Sequence, residues 1–351
     1  GMHKSTDGGE TWRQIGDFYA EFPYLHPSDS RTLYVETLLG LVKSTDSGES
    51  WTSSSGGIVG TFISFMVLAP NAPDWIYIEG WGWSRSTDGG KSWSPLRSLR
   101  DAPGFNSLAI DPDDPNILYG ANGGVWKTTD GGDTWRHSDR GLDSIRRVAV
   151  DPQDGRVLYA VRGTHPTSSD VYKSTDGGDN WVLGSTVGGQ PGVLGVDPSD
   201  SRVVYAGGYR GGLSKSTDGG LTWNRTSLSS TYPRALTLDE QDPRTLYVMT
   251  NSEGLFKSED GGERWNRLPT PFLGGTLAID AGDRRILYAG NPYVGGAYKS
   301  VDGGLTWTPR NQGLRNTRIN QVAVSRATGR IYLATGGAGV YVSDDQAETW
   351  Q

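Results

Sequence analysis

The sequence contains no cysteine, only four histidines and only three methionines. Without thiols there is no disulfide and no thiolate chemistry, and a structural zinc would need grouped histidines. His3, His26, His137 and His165 are scattered instead, so neither a metal site nor a cofactor is expected. Long apolar runs are also missing: none approaches the ~20 residues of a membrane-spanning helix, which argues against membrane insertion. The N-terminus shows no basic-then-apolar leader, and Gly1 before Met2 reads as the remnant of a tag. Charge of one sign does not dominate any segment. The 33 basic and 40 acidic residues are interspersed and leave a formal charge of -7, which excludes nucleic acid as the main partner. Helical periodicity is scarce, whereas period-two runs such as Ser107 to Ile110 recur. No phosphate-binding Gly-x-x-x-x-Gly-Lys-Ser/Thr occurs, and the Gly-Gly pairs belong to turns.

What is present is a repeat. Glycine is abundant at 51 residues and tryptophan at 13, and the phrase Ser-Thr-Asp-Gly-Gly-x-Thr-Trp returns around Asp7, Asp46, Asp88, Asp130, Asp176, Asp218, Asp260, Asp302 and Asp345. The intervals are 39, 42, 42, 46, 42, 42, 42 and 43 residues, a period that suits one four-stranded propeller blade. A second phrase lies between the boxes, as in Leu108-Ala109-Ile110-Asp111-Pro112 followed by Ile117-Leu118-Tyr119. Each unit therefore parses as strand A (Ala-Ile-Asp-Pro), strand B (Ile-Leu-Tyr), strand C (Val-Trp-Lys), the box, and a strand D opening on its tryptophan. The aspartate accepts backbone amides in a tight turn, and glycine supplies the left-handed conformation there. The tryptophan buries apolar surface in its own blade.

These boxes and blade phrases resemble the Asp-box (bacterial neuraminidase repeat) propellers of the sialidase-like superfamily. Within it they are most similar to xyloglucanase, sortilin and photosystem II assembly-factor propellers. The resemblance spans residues 3 to 350 and implies one all-β domain over residues 1–351, a single propeller of about eight four-stranded blades. It favours an extracytoplasmic location. It says little about function, because the same box serves hydrolases, receptors and assembly factors. The chain opens at His3-Lys4, the end of a strand C, and stops just after the ninth box. The expected closure therefore has the N-terminal stretch Thr11 to Ile15 supplying strand D of the last blade. The ninth box, Ser343-Asp344-Asp345-Gln346-Ala347, lacks both glycines and is expected to be frayed. A longer array, or two chains exchanging terminal strands, is the alternative, and the latter would give self-association through the terminal blade.

In the family's topology the boxes and Asp-Pro turns share one face, and the D-to-A and B-to-C loops share the other, where propellers usually bind their ligands. The box aspartates are thus scaffold. Ligand-binding candidates on the loop face are Trp81, His165, Tyr209, Arg210, Tyr293, Arg234 and Arg318, because aromatics stack on sugars or pack on peptides and arginines hold carboxylates. Trp83 aligns with Val125 and Leu213 and is expected in the core. For glycoside hydrolysis two carboxylates must flank a cleft at roughly 5 to 10 Å; Glu36, Glu79, Asp170 and Glu253 are the candidates. A sialidase would need three convergent arginines, for which Arg146 or Arg147, Arg234 and Arg318 stand near strand A starts, but the Phe/Tyr-Arg-Ile-Pro signature is missing. The leading expectation is a noncatalytic propeller that presents its loop face to a protein or glycan, and the rival is a glycoside hydrolase, xyloglucanase-like more than sialidase-like.

Overall fold

The computed structural model describes residues 2–5, 10–11, 13–16, 20–26, 29–37, 40–47, 49–53, 63, 65–79, 83–96, 104–165, 168–228, 232–293 and 295–351, without the side chains of 2–3, 16, 20–26, 29–30, 32–37, 40–43, 53 and 164–165. Among them every regular element is a strand, and no helix is long and apolar enough to cross a membrane. Burial on both faces decides this locally. In Leu118–Asn122 and its counterparts both faces are buried between neighbouring sheets, so the strands read as short apolar runs bounded by turn residues.

Seven antiparallel sheets form a closed ring. Blade 1 begins with Phe65–Leu68, blade 2 with Ser107–Ile110, blade 3 with Ile145–Asp151 and blade 4 with Gln190–Val196; Pro233–Leu238, Thr276–Ile279 and Ile319–Val324 open blades 5 to 7. These innermost strands pack successively on one another, and the seventh returns to the first. At the closing joint the Gln321 side chain binds the backbone of Met66 twice, accepting from its amide at 2.7 Å and donating to its carbonyl at 2.6 Å. Asn320 donates to the Ile63 carbonyl at 2.6 Å.

The joint between blades has a repeated construction. The strand B tyrosines Tyr77, Tyr119, Tyr159, Tyr205, Tyr247, Tyr288 and Tyr332 are all fully or almost fully buried. Tyr205 donates to the Gly261 carbonyl in the next blade's box at 3.0 Å, and Tyr332 donates to Gly89, in the box of blade 1, at 3.5 Å. Lysines of strand C lie over the same rings, as Lys127 does over Tyr119 at 5.2 Å, and Lys127 also donates to the next box at Gly177.

This construction corrects the expected count of about eight blades to seven. The strands Ala20–His26, Asp29–Thr37, Gly40–Ser44 and Thr52–Ser53 do form a four-stranded sheet. That sheet does not enter the cycle of innermost strands, because Tyr332 already occupies the box of blade 1. A repeat count in sequence gives the number of units, whereas the ring size depends on which two units meet.

The expected closure is corrected as well. Arg13–Gly16 pairs with Met2–Lys4 rather than with the last blade. This hairpin is held to the first sheet, where Trp51 Nε1 donates to Ile15 and Lys4 to Ser47. The last blade is completed by its own end, Val342 and Gln351 exchanging two backbone bonds of 3.0 Å.

Nor is the ninth box frayed. Asp345 Oδ1 accepts the Ser343 hydroxyl and the Thr349 amide, and Oδ2 accepts the Thr349 hydroxyl at 2.6 Å, the same pattern as in Asp88 and Asp130. The missing glycines leave strain instead: Gln346 and Ala347 sit at φ 58° and 68°, where Gly89 and Gly90 sit at 71° and 87°. Converting Gln346 to glycine should stabilise the chain by ~0.5 kcal/mol, the left-handed penalty less glycine's entropic cost, whereas Ala347 is fully buried and its methyl offsets the gain there. Calorimetry would show a melting temperature raised by about one degree or less; no rise would mean that Gln346 carries no strain.

Candidate binding face

Two openings of the central channel differ in their chemistry. At the box face a cavity of ≈550 Å³ is lined by Asp239, Glu240, Asp280, Arg284 and Arg326 among others. Its charged groups are all engaged: Arg284 meets Asp239 at 3.0 Å and Asp242 at 2.8 Å, Arg326 of blade 7 reaches across to Glu240 of blade 5, and Asp280 accepts the Gly282 and Asp283 amides and the Tyr288 hydroxyl.

At the loop face a cavity of ≈460 Å³ is lined by Asn106, Arg147, Arg234, Thr237, Tyr293, Asn320 and Gln321, and no carboxylate lines it among the described residues. The starts of strands A build it. In blade 4 the position level with Arg234 is Gly192, where a Cβ would meet the Pro233 carbonyl at 2.6 Å, and Arg147 donates through Nε to the Gly192 carbonyl at 3.1 Å. Arg147 also donates to the Asn106 carbonyl. Burial in the channel wall, and then the like charge of Arg234, hold the Arg147 guanidinium below its ordinary value.

Aromatic rings flank the two guanidiniums. Arg234 lies over Tyr232 at 5.9 Å, Tyr232 meets Tyr209 edge-on at 5.3 Å, and Arg210 caps Tyr209 at 5.1 Å. The result is an Arg-Tyr-Tyr-Arg stack running from blade 4 toward the channel. On the other side Tyr293, 70% exposed, joins Asn251, Pro271, Phe272 and Leu273 in an apolar groove of ≈510 Å³. The fully buried Asn291 positions this tyrosine, its Oδ1 accepting the Tyr293 amide at 2.8 Å and its Nδ2 donating to Leu273 at 3.0 Å.

Of the ligand-binding candidates, the structure thus places Arg234 and Tyr293 at one cavity, with Tyr209 and Arg210 in the stack that leads to it. Arg318 starts blade 7, packs its stem on Gly336 and is not among that lining. Trp81 and the His165 side chain lie outside the described residues; the His165 backbone ends the long strand Asp154–His165. Trp83 is buried in the core, as its alignment implied.

Among the carboxylates, Asp170 is taken up by Arg162 at 2.7 Å and by the Thr186 hydroxyl at 3.1 Å. Glu79, half-buried on blade 1, has Oε1 against Gly104, and Glu253 stands in a turn of blade 5. These three belong to non-adjacent blades. Glu36 is on the sheet outside the cycle, and its side chain is not described, nor is Asp7. The other box aspartates, Asp46, Asp88, Asp130, Asp176, Asp218, Asp260, Asp302 and Asp345, are all engaged in their turns. Sequence reasoning named Arg147 only as a sialidase-type alternative and Tyr232-Pro233-Arg234 only as a scrambled echo of the sialidase signature, and it passed over Asn106 and Asn320, whose signal is position just ahead of or within strand A.

Seven blades stapled by Asp-box turns define the class: the chain is a β-propeller built on Asp-box repeats. The family model described as BNR/Asp-box repeat matches residues 84–95. Among solved structures the chain is similar to YCF48 bound to D1 peptide, at 19% identity and a TM-score of 0.61, over 80% of this chain and 92% of that one. A second similarity is to YCF48 from Cyanidioschyzon merolae, at 17% identity and a TM-score of 0.49, over 79% and 95%. A third is to the Niastella koreensis GH74 enzyme, at 16% identity and a TM-score of 0.44, over 99% and 72%. No curated protein matches at a significant level.

Proposed function

We propose that the chain is a noncatalytic binding propeller that takes a protein ligand at the loop-face mouth of its channel, through an acidic group of that ligand. The observation that carries this reading is the pairing of Arg147 and Arg234 in one cavity without a carboxylate, while the charged groups at the opposite opening are all engaged. An arginine fork recognises a carboxylate with two parallel bonds and gains most where water is partly excluded. The Phe272, Leu273 and Tyr293 groove beside it suits an apolar side chain of the same peptide. The YCF48 neighbour named for a bound peptide gives the fold a precedent for such a partner.

The test is a fluorescence-anisotropy screen of acidic, neutral and basic peptide pools, run beside a hydrolysis panel of β-glucans, xyloglucan and sialosides. Acidic pools should bind, and Arg147→Ala or Arg234→Ala should each weaken that binding about tenfold or more, as loss of one charge-assisted contact implies. Arg156→Ala, exposed near the box face, should leave it unchanged. Cleavage of any glycan that is lost in Glu79→Gln would overturn the noncatalytic reading, and binding indifferent to both arginines would overturn the site.

A further inference from the structure

The outermost strands of the propeller are short and guarded, with one departure. Ser94–Pro95, Arg136–His137, Asn224–Arg225, Asn266–Leu268 and Thr308–Pro309 have two or three residues each, and each carries a proline or an arginine. Such features keep a sheet edge from recruiting another strand. In blade 3 the outermost strand is Val182–Gly188, seven residues reading Val-Leu-Gly-Ser-Thr-Val-Gly, with neither a charge nor a proline. Val182 is 68% exposed and Leu183 54%.

The strand is paired on one side alone. It follows Ser168–Ser174 from Lys173↔Val182 to Ser168↔Gly188, with a bulge between Asp170 and Tyr172. Among the described residues no backbone group of 182–187 bonds outside that sheet. Blade 4 covers the end of the strand, where Gly188 and Gly189 lie against the backbone of Gly211, and its box turn lies on one face of the strand at Gly184, where a Cβ would meet the Gly220 carbonyl. The row without hydrogen bonds beyond its own sheet is therefore 182–187, about 20 Å of edge at the usual rise per residue, with Val182, Leu183 and Thr186 exposed and Val187 buried.

We propose that this edge is an interface with a second copy of the chain, the two strands adding antiparallel across a twofold axis to join both third blades into one sheet. The sequence of the strand suits its own reverse, because an uncharged, β-branched edge brings no like charges into opposition. The flanks are complementary. At its start lies the exposed Asp176 of the box, beside Asp179, which Arg136 already meets at 3.3 Å, and at its end the Arg225 side chain lies beside Gly188 with no ion-pair partner among the described residues. Antiparallel addition sets the acidic end of one copy against the basic end of the other. An edge of this length with its flanking turns falls at the low end of specific interfaces, so a dimer dissociating in the micromolar range is expected.

Sedimentation velocity on the full chain across that range tests the proposal. The wild type should pass from monomer to dimer, and Leu183→Lys should remain monomeric at every concentration with its melting temperature unchanged, since Leu183 is exposed. Arg225→Glu should weaken the dimer about tenfold, in line with rim charge pairs. Because the chain has no cysteine of its own, Ser185→Cys gives a second readout: under oxidation it should form a disulfide-linked dimer, and Ser94→Cys on blade 1 should not. A wild type that stays monomeric, or a dimer that survives Leu183→Lys, overturns the proposal.

Discussion

Replacing Tyr332 with alanine should cost the chain about 3–5 kcal/mol, the usual range for deleting a buried aromatic ring. Tyr332 is fully buried in the cluster of Ile63, Met66, Ile76 and Ile78, so its ring spans the joint where blade 7 meets blade 1. The same substitution at Tyr119 leaves a cavity of similar size between two blades that are also joined by the chain. At Tyr332 no direct chain connection performs that service, and the joint rests on side chains, on the Gln321 and Asn320 bonds and on the backbone bond from the Ile63 amide to the Thr335 carbonyl at 2.9 Å. Tyr332→Ala should therefore also raise hydrogen exchange in Phe65–Leu68 and Ile331–Thr335 before the other blades exchange. Tyr332→Phe keeps the ring and loses one long hydrogen bond, so a loss of ~1 kcal/mol or less is expected. Urea denaturation would measure the first effect and exchange mass spectrometry the second. A loss for Tyr332→Ala as small as that for Tyr332→Phe would show that the ring does not depend on this joint.

That joint is also where the sequence stops being sufficient. Fold class was legible in the box itself, because Ser, Asp, two glycines and Trp at fixed spacing admit one turn and one packing role. Blade 3 announced itself by its interval of 46 rather than 42, and the extra residues lengthen Asp154–His165 and Ser168–Ser174. Ring size was not legible, since nothing in the composition of Tyr332 distinguishes it from Tyr288 or Tyr119 before the partner box is known. The last box misled for a different reason. Glycine is the preferred residue at a positive φ but not an obligatory one, and the Asp345 hydrogen bonds hold Gln346 and Ala347 there against the preference. At the binding face, exposed aromatics and arginines could be read individually. Their convergence could not, because Arg147 and Arg234 are brought together by the blade between them, whose own position is the glycine Gly192.

Stability should be level between about pH 4 and pH 10 and fall away on both sides, because two repeated groups titrate differently in the fold and in the open chain. On the acid side, Asp46, Asp88, Asp176, Asp218 and Asp345 are each lowered to about 2. The first cause in each is the side-chain donor four residues on, the hydroxyl of Ser50, Ser92, Thr222 or Thr349 or the amide of Asn180, followed by that residue's backbone amide. A carboxylate held below its unfolded value contributes stability above that value and loses it as pH falls through the folded one, so the decline runs from about pH 4 to about 2. These aspartates face solvent, so each contributes modestly, and the effect comes from repetition in almost every blade. On the alkaline side burial raises the strand B tyrosines, Tyr77 to about 12 and Tyr119, Tyr159, Tyr205 and Tyr288 further. A phenol held above its unfolded value contributes stability below that value, about 10, and loses it as pH rises toward the folded one. Melting temperatures taken across the range should trace a plateau with two shoulders. Asp88→Asn and Asp218→Asn together should lower the plateau and make the acid shoulder shallower, since fewer boxes then remain to be protonated. An acid shoulder of unaltered depth in that variant would separate the boxes from acid unfolding and leave their hydrogen bonds a purely geometric role.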